Sequence, residues 1–402
     1  MPITSPPHSK SPPPAGHWAP LALGFRPFFL LASLSAIALL SHWLAMLTGV
    51  SRNAGGYFNP LVWHGHELLF GYAAAVIAGF LLTAVRNWTG LPTPRGFPLA
   101  GLAVLWLAGR VVIALPSGLL PGVLIAGIDL AFLPLIAVAV GQPIWARRQQ
   151  HNYQFVMILI GLSIANLLIH LTALGALAFD IRAGLDAALY GVILLLIVLG
   201  GRVIPFFTEH TLPQVVTRKW FWSEWLAPAA TAALAVVALL QVSGWLLALL
   251  AALAGIANAV RLWGWQPWRT GQEPMLWVLH LGYGWLVLGL GLTAATAGFP
   301  MLALPAIHTL TVGALGGLTL GMMARVALGH TGRPIQATPM VITAFVLINL
   351  AATVRVVLPL LWPAHYLSLL GLAGMLWLLA FALFLLRYTP ILLRARMDGQ
   401  EG

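Results

Sequence analysis

Long apolar runs, separated by short stretches rich in Gly, Pro, Arg and Trp, recur along almost the whole chain from Leu23 to Arg387. A membrane-crossing helix needs roughly 20 mostly apolar residues, and that ruler predicts about twelve spans. The first six run Leu23 to Leu47, Leu61 to Ala84, Leu99 to Leu115, Gly122 to Trp145, Tyr153 to Ala178 and Gly184 to Phe207. The second six run Glu224 to Val242, Gly244 to Leu262, Met275 to Ala297, Ala303 to Val326, Thr338 to Leu358 and His365 to Arg387. The seventh and eighth are tightly joined, which leaves eleven as the alternative count. The expected fold is an all-α polytopic transmembrane bundle, a single domain over residues 23–388 with a short tail at 389–402. Residues 1–22, dense in Pro and Ser, read as a disordered tail with no apolar signal core.

Composition narrows this further. The chain has 402 residues, 60% hydrophobic and 7% charged, too apolar for a soluble protein. It has no cysteine, which removes disulfides, iron–sulfur clusters and covalently attached haem. Any metal must be held by His, Met, carboxylate or backbone oxygen. The net charge of +11 is not a nucleic-acid footprint, because the basic residues are scattered between apolar runs. All of them except Arg52, Arg110, Arg182 and Arg355 fall on one side of the predicted spans. By the excess of Lys and Arg in cytoplasmic loops, both termini are expected in the cytoplasm. The inner ends of spans two, six and ten read AVRNWTG, GGRVIPFFT and MARVALGHTG, a weak repeat four helices apart. Arginine marking cytoplasmic helix ends is its plainer explanation.

The chemistry concentrates in WHGHELLFG, Trp63 to Gly71. An ionisable group within a span is costly unless it binds, pairs or relays something, so His64, His66 and Glu67 are site candidates. His42, His64, His66, His170, His308 and His365 fall towards the outer face; His151, His210, His280 and His330 fall towards the inner. A single helical histidine is more often a packing residue than a ligand, but four outer ones on spans two, five and ten are not easily dismissed so. His64 and His66 are about 200° apart around a regular helix and cannot share one metal, so one should ligate and the other do something else. Small residues follow His64 (Gly71, Ala75) and His308 (Gly316), leaving room for a flat macrocycle or for close helix packing. Glu67 is either a proton carrier or a salt-bridge partner. Asp129 and Arg110 are expected to pair, and Arg202 with Glu209 either binds a cofactor carboxylate or anchors a helix end. Met322 and Met323 are expected to pack.

Five ordered motifs resemble the NnrS family: GFRPFF (Gly24 to Phe29), WHGHELLFG, RNWTG (Arg86 to Gly90), GGRVIPFFT (Gly200 to Thr208) and HTLTVGALGGLTLGMMARVALGHTGRP (His308 to Pro334). Leu68 stands where the family is expected to carry Met. The resemblance implies a haem- and copper-containing protein of a bacterial inner membrane, linked to nitric oxide and nitrosative stress. Carried over by motif, the site residues are His64, His66 and Glu67, Arg202, and His308, Arg325 and His330. His170 and His280 join them on depth and polarity alone. The metal ligands are then drawn from His64, His66 and His308, with His280 and His330 as candidates for a second metal.

By analogy, haem–copper oxidases and their nitric oxide reductase relatives also have twelve core helices and haem histidines on helices two and ten. No trio of copper-binding histidines stands on helices six and seven here. The expected function is a haem b protein that binds nitric oxide and removes it by reduction, with Glu67 supplying protons and an unknown donor supplying electrons. The alternatives are a non-catalytic haem or copper protein that senses nitric oxide or carries metal, and a secondary transporter.

Overall fold

The computed structural model describes residues 18–50, 56–242 and 244–400. The proline-rich segment 1–17 lies outside them. Among the described residues, twelve helices are long and apolar enough to cross a membrane, as the sequence pattern requires. They are α1 (Phe25–Leu47), α2 (Pro60–Thr89), α3 (Phe97–Ala114), α4 (Gly122–Ala146), α5 (Gln150–Ala173) and α6 (Ile181–Thr211). The second half comprises α7 (Phe221–Leu239), α8 (Trp245–Arg269), α9 (Pro274–Ala295), α10 (Pro300–Gly329), α11 (Pro339–Leu361) and α12 (Pro363–Leu393). There is no strand among the described residues. The chain is a multi-pass, all-α membrane protein.

Successive helices pack on one another, and α12 returns to pack on α1. The apolar window of α2 is 89% buried and that of α6 72%, against 22% for α1, so α2 and α6 form the centre of the bundle. Close approach is built from glycine. A Cβ on Gly79 of α2 would lie 2.9 Å from Phe28 of α1, and one on Gly316 of α10 would lie 2.5 Å from the Trp377 ring of α12. Trp377 in turn donates to the Ala36 carbonyl of α1 at 3.2 Å, and Tyr72 of α2 bonds the Thr319 hydroxyl of α10. Between α1, α2, α6, α9 and α10 lies an apolar cavity of about 50 Å³, lined by Phe29, Ala73, Leu199, Leu315, Met322 and their neighbours. No histidine lines it.

The two described chain ends meet. Ala19 donates to the Leu393 carbonyl at 2.8 Å, and the buried Arg26 guanidinium donates to the carbonyls of Leu392 at 2.9 Å and Ile391 at 3.4 Å. A cation there satisfies the orphan carbonyls at the C-terminus of α12 and opposes its dipole.

Among the described residues, two spans contain π-helical turns. α2 widens into a π-helical turn over Glu67–Ala73 and α10 into another over Thr309–Gly316. Each begins directly after a histidine, His66 in one and His308 in the other. Turns of this kind are rare and are found at functional sites more often than chance allows.

Candidate functional site

Asn59 and Pro60 start α2: the Asn59 carboxamide accepts from the Val62 amide at 3.0 Å, and proline needs no donor at the first position. The helix then presents its two histidines to different halves of the bundle. His64 stacks on Trp43 of α1 at 4.3 Å between ring centres, and its Nδ1 is buried without a hydrogen-bond partner. It lies within electrostatic reach of His308 and of Arg355 on α11. His308 donates from Nδ1 to the Leu304 carbonyl at 2.9 Å, and its Nε2 lies 3.1 Å from the Arg355 guanidinium, which also reaches the Tyr366 hydroxyl at 3.3 Å. The Nδ1 bond fixes the tautomer and leaves Nε2 as the acceptor. Arg355 therefore ties His308 of α10 to Tyr366 of α12, while the direct ring contact of His64 is with Trp43 of α1.

His66 belongs to a group enclosed by α2 to α5. Its Nδ1 faces Glu67 Oε1 at 3.1 Å; its Nε2 faces Asn166 Oδ1 at 2.9 Å and Asp129 Oδ2 at 3.4 Å. His170 Nε2 lies 3.0 Å from the same Asp129 oxygen, while its Nδ1 meets the Tyr57 hydroxyl at 3.0 Å. Asn166 Nδ2 donates to Asp129 Oδ2 at 2.8 Å. Arg110 closes the group, bonding Glu67 Oε1 at 2.9 Å and the other Asp129 oxygen, Oδ1. His66, Glu67, Asp129, Asn166 and His170 are all buried. Tyr57 stands just before α2, where burial pushes its phenol up to about 12 and keeps the hydroxyl intact at neutral pH.

The expected Asp129–Arg110 pair is present, and Glu67 also takes the salt-bridge partner left open to it. Glu67 Oε2 remains buried without a partner. Gly71 does not open space for a ligand on the His64 side: a Cβ there would lie 3.0 Å from Arg110, because Gly71, four residues after Glu67, shares the face that Arg110 covers. Gly316 likewise makes room for Trp377.

The remaining candidates are dispersed. Arg202 donates to Asn152 Oδ1 at 2.6 Å and to the His151 carbonyl at 2.7 Å, and Glu209 accepts from the Thr217 amide at 3.0 Å, so both anchor the ends of their segments. His280 bonds the Leu276 carbonyl at 3.1 Å and approaches Thr208 at 3.4 Å. His330, just past α10, packs on Phe25 with ring centres 5.7 Å apart; burial and the nearby Arg396 and Arg26 hold its imidazole down to about 4. No contact joins His280 to His330 among the described residues. Arg325 lies over the Phe207 ring at 4.0 Å and donates weakly to Thr211 at 3.3 Å, with Nε and Nη1 unpartnered.

Sequence reading passed over four participants. Asn166 stands four residues before His170 on one face of α5, a spacing that was available in the sequence. Tyr57, Arg355 and Tyr366 carried no such sign. It also passed over a second charged group, in which Arg261 of α8 grips Glu224 of α7 at 3.0 and 3.2 Å and donates to Tyr283 of α9 at 2.8 Å. Tyr283 in turn donates to Asn258 Oδ1. Gly201 of α6 admits this guanidinium; a Cβ at that position would overlap it.

No curated protein matches the chain. A family model described as NnrS protein matches residues 19–396, nearly all of it, and the chain belongs to the NnrS family.

Proposed function

We propose that this protein is a haem b protein of a bacterial inner membrane that binds nitric oxide and removes it by reduction. The observation that carries the reading is that His64 of span two and His308 of span ten each lead into a π-helical turn, with Arg355 bonded to His308. His64 keeps a buried ring nitrogen without a partner, and His308, its Nδ1 held by the Leu304 carbonyl, turns Nε2 to the Arg355 guanidinium, which would have to release it for His308 to hold an iron. Arg355 and Tyr366 are the cation and hydroxyl that would pair with a haem carboxylate. Bound haem would supply an iron that takes nitric oxide as a ligand and delivers electrons to it. The protein's own part is to exclude water, hold the ligands and deliver protons. Glu67, with one oxygen unpartnered, is the proton carrier in this reading, and copper is a further cofactor candidate.

The apolar cavity begins at Ala73 and Leu315, about two turns below these histidines, and is space that an apolar gas can enter. The reading takes the twelve spans, with histidines on spans two and ten, as an arrangement like that of haem–copper oxidases, a likeness that leaves function open. The one-sided distribution of arginine and the meeting of the chain ends support an orientation with both termini cytoplasmic. The proposed partners are nitric oxide, surrounding lipid and an electron donor.

The test is an optical spectrum of the purified protein, oxidised and reduced, before and after nitric oxide. A reduced b-type spectrum that shifts with the gas is expected. His308→Ala should lose the haem or change its spin state while His365→Ala does neither, and unchanged haem in the first variant would defeat the ligand assignment. Glu67→Gln should retain haem and slow nitric oxide consumption by about 10²-fold or more, read with a nitric oxide electrode. Binding without consumption in the unmodified protein would leave the sensor reading in place.

A further inference from the structure

We infer that His66, His170 and Asp129 form a separate buried site for a single first-row transition-metal ion, distinct from His64 and His308. Three ligand atoms, one from each residue, lie within 4.8 Å of one another. Ligands about 2.0–2.1 Å from a common ion lie roughly 2.9 Å apart at a right angle and roughly 3.4 Å apart at a tetrahedral angle. The two Nε2 atoms stand 3.0 and 3.4 Å from Asp129 Oδ2, which spans that range.

Hydrogen-bond arithmetic supports the assignment independently. His66 has acceptors on both sides: Glu67 Oε1 at Nδ1, and Asn166 Oδ1 with Asp129 Oδ2 at Nε2. A neutral imidazole has one N–H and cannot satisfy both. Donation from Nδ1 to Glu67 leaves the Nε2 lone pair facing two oxygens, an arrangement that a cation at that point relieves. A histidine whose far nitrogen is held by a carboxylate is the usual form of a metal-bound one, and Tyr57 holds His170 Nδ1 in the same way. The charges agree, since among the described residues Glu67 and Asp129 are opposed only by the Arg110 guanidinium. Arg110 occupies Asp129 Oδ1 and directs Oδ2 inwards, while Glu67 Oε2, buried and unpartnered, lies beside the group.

The donor set selects the ion. Two imidazoles disfavour magnesium and calcium, and the lack of sulfur disfavours copper(I); one carboxylate with two imidazoles suits divalent iron, cobalt, copper or zinc. The ion would be enclosed by four helices of the first half of the chain, so it would also fasten α2 to α4 and α5.

The experiment uses the full chain in detergent, any affinity tag removed, stripped with chelator and titrated with Co²⁺ alone. Visible d–d absorption saturating at one Co²⁺ per chain is expected, together with a raised unfolding temperature. His170→Ala should weaken Co²⁺ binding at least about 100-fold and Asn166→Ala about 10-fold, whereas His365→Ala should bind Co²⁺ as the unmodified protein does. Haem content separates the two sites: His170→Ala keeps whatever haem the protein carries. Failure of the unmodified protein to bind one Co²⁺ with a d–d spectrum overturns the proposal whatever the variants do. So does a spectrum and stoichiometry that His170→Ala leaves unchanged.

Discussion

Two charged groups are buried in this bundle, and they solve the same problem differently. Around Arg261 the charges match: one guanidinium grips one carboxylate, and the remaining donor finds Tyr283, whose own hydrogen passes to Asn258. Every polar end there has a mate. Around Arg110 one guanidinium faces two carboxylates and two imidazoles, and acceptors outnumber donors. A closed network clamps helices together; an open one with surplus lone pairs has the form of a place to bind something.

Removing each arginine tests that contrast most strongly. Arg110→Ala strands Glu67 and Asp129 together and should cost about 3–5 kcal/mol of stability, read as loss of folded protein in a detergent melt. Arg261→Ala strands only Glu224, whose side chain is 28% exposed and can rehydrate, so about 1–3 kcal/mol is expected. Equal losses would erase the distinction.

A smaller effect should come from Gly201→Ala. The added methyl must displace the Arg261 guanidinium, for about 1–3 kcal/mol, and the double variant with Arg261→Ala should recover most of that increment. Additive losses would show that Gly201 serves some other contact.

The smallest lies outside both groups. His330 titrates in the unfolded chain near its ordinary value and in the folded protein at about 4, so the unfolded state binds the extra proton between those values. Folding is then fully favoured by this residue above about pH 6.5 and loses that contribution as pH falls towards 4. His330→Gln should flatten the melting temperature across that window by a few degrees, a change that melts at several pH values would register.

Much of this architecture was legible in the chain. Twelve spans follow from apolar length, because a continuous apolar run of about 20 residues satisfies its backbone in lipid as a helix, whereas a closed barrel is built from shorter, alternating strands. The pairing of Asp129 with Arg110 followed from two opposite charges at one depth. The grouping of the histidines was less accessible: Asp129, His66 and His170 come from three helices, and periodicity reports faces, not neighbours. The stripe drawn from His64 through Gly71 assumed a regular helix, and the wide turn at Glu67–Ala73 breaks that count. The Arg261 group gave no sign at all, since Arg261, Glu224 and Tyr283 each resemble residues at helix ends or in packing.

That wide turn has one more consequence. It holds about one residue more than a regular turn would, so the segment of α2 that carries the histidines is rotated by about 100° relative to the phase the lower segment would impose. The helix is in effect two short rods joined by a swivel. Deleting a single residue between Glu67 and Ala73 would let the turn close to regular winding with His64 and His66 still on their separate targets, whereas a deletion elsewhere between the histidines and the lower segment would swing both off in one stroke.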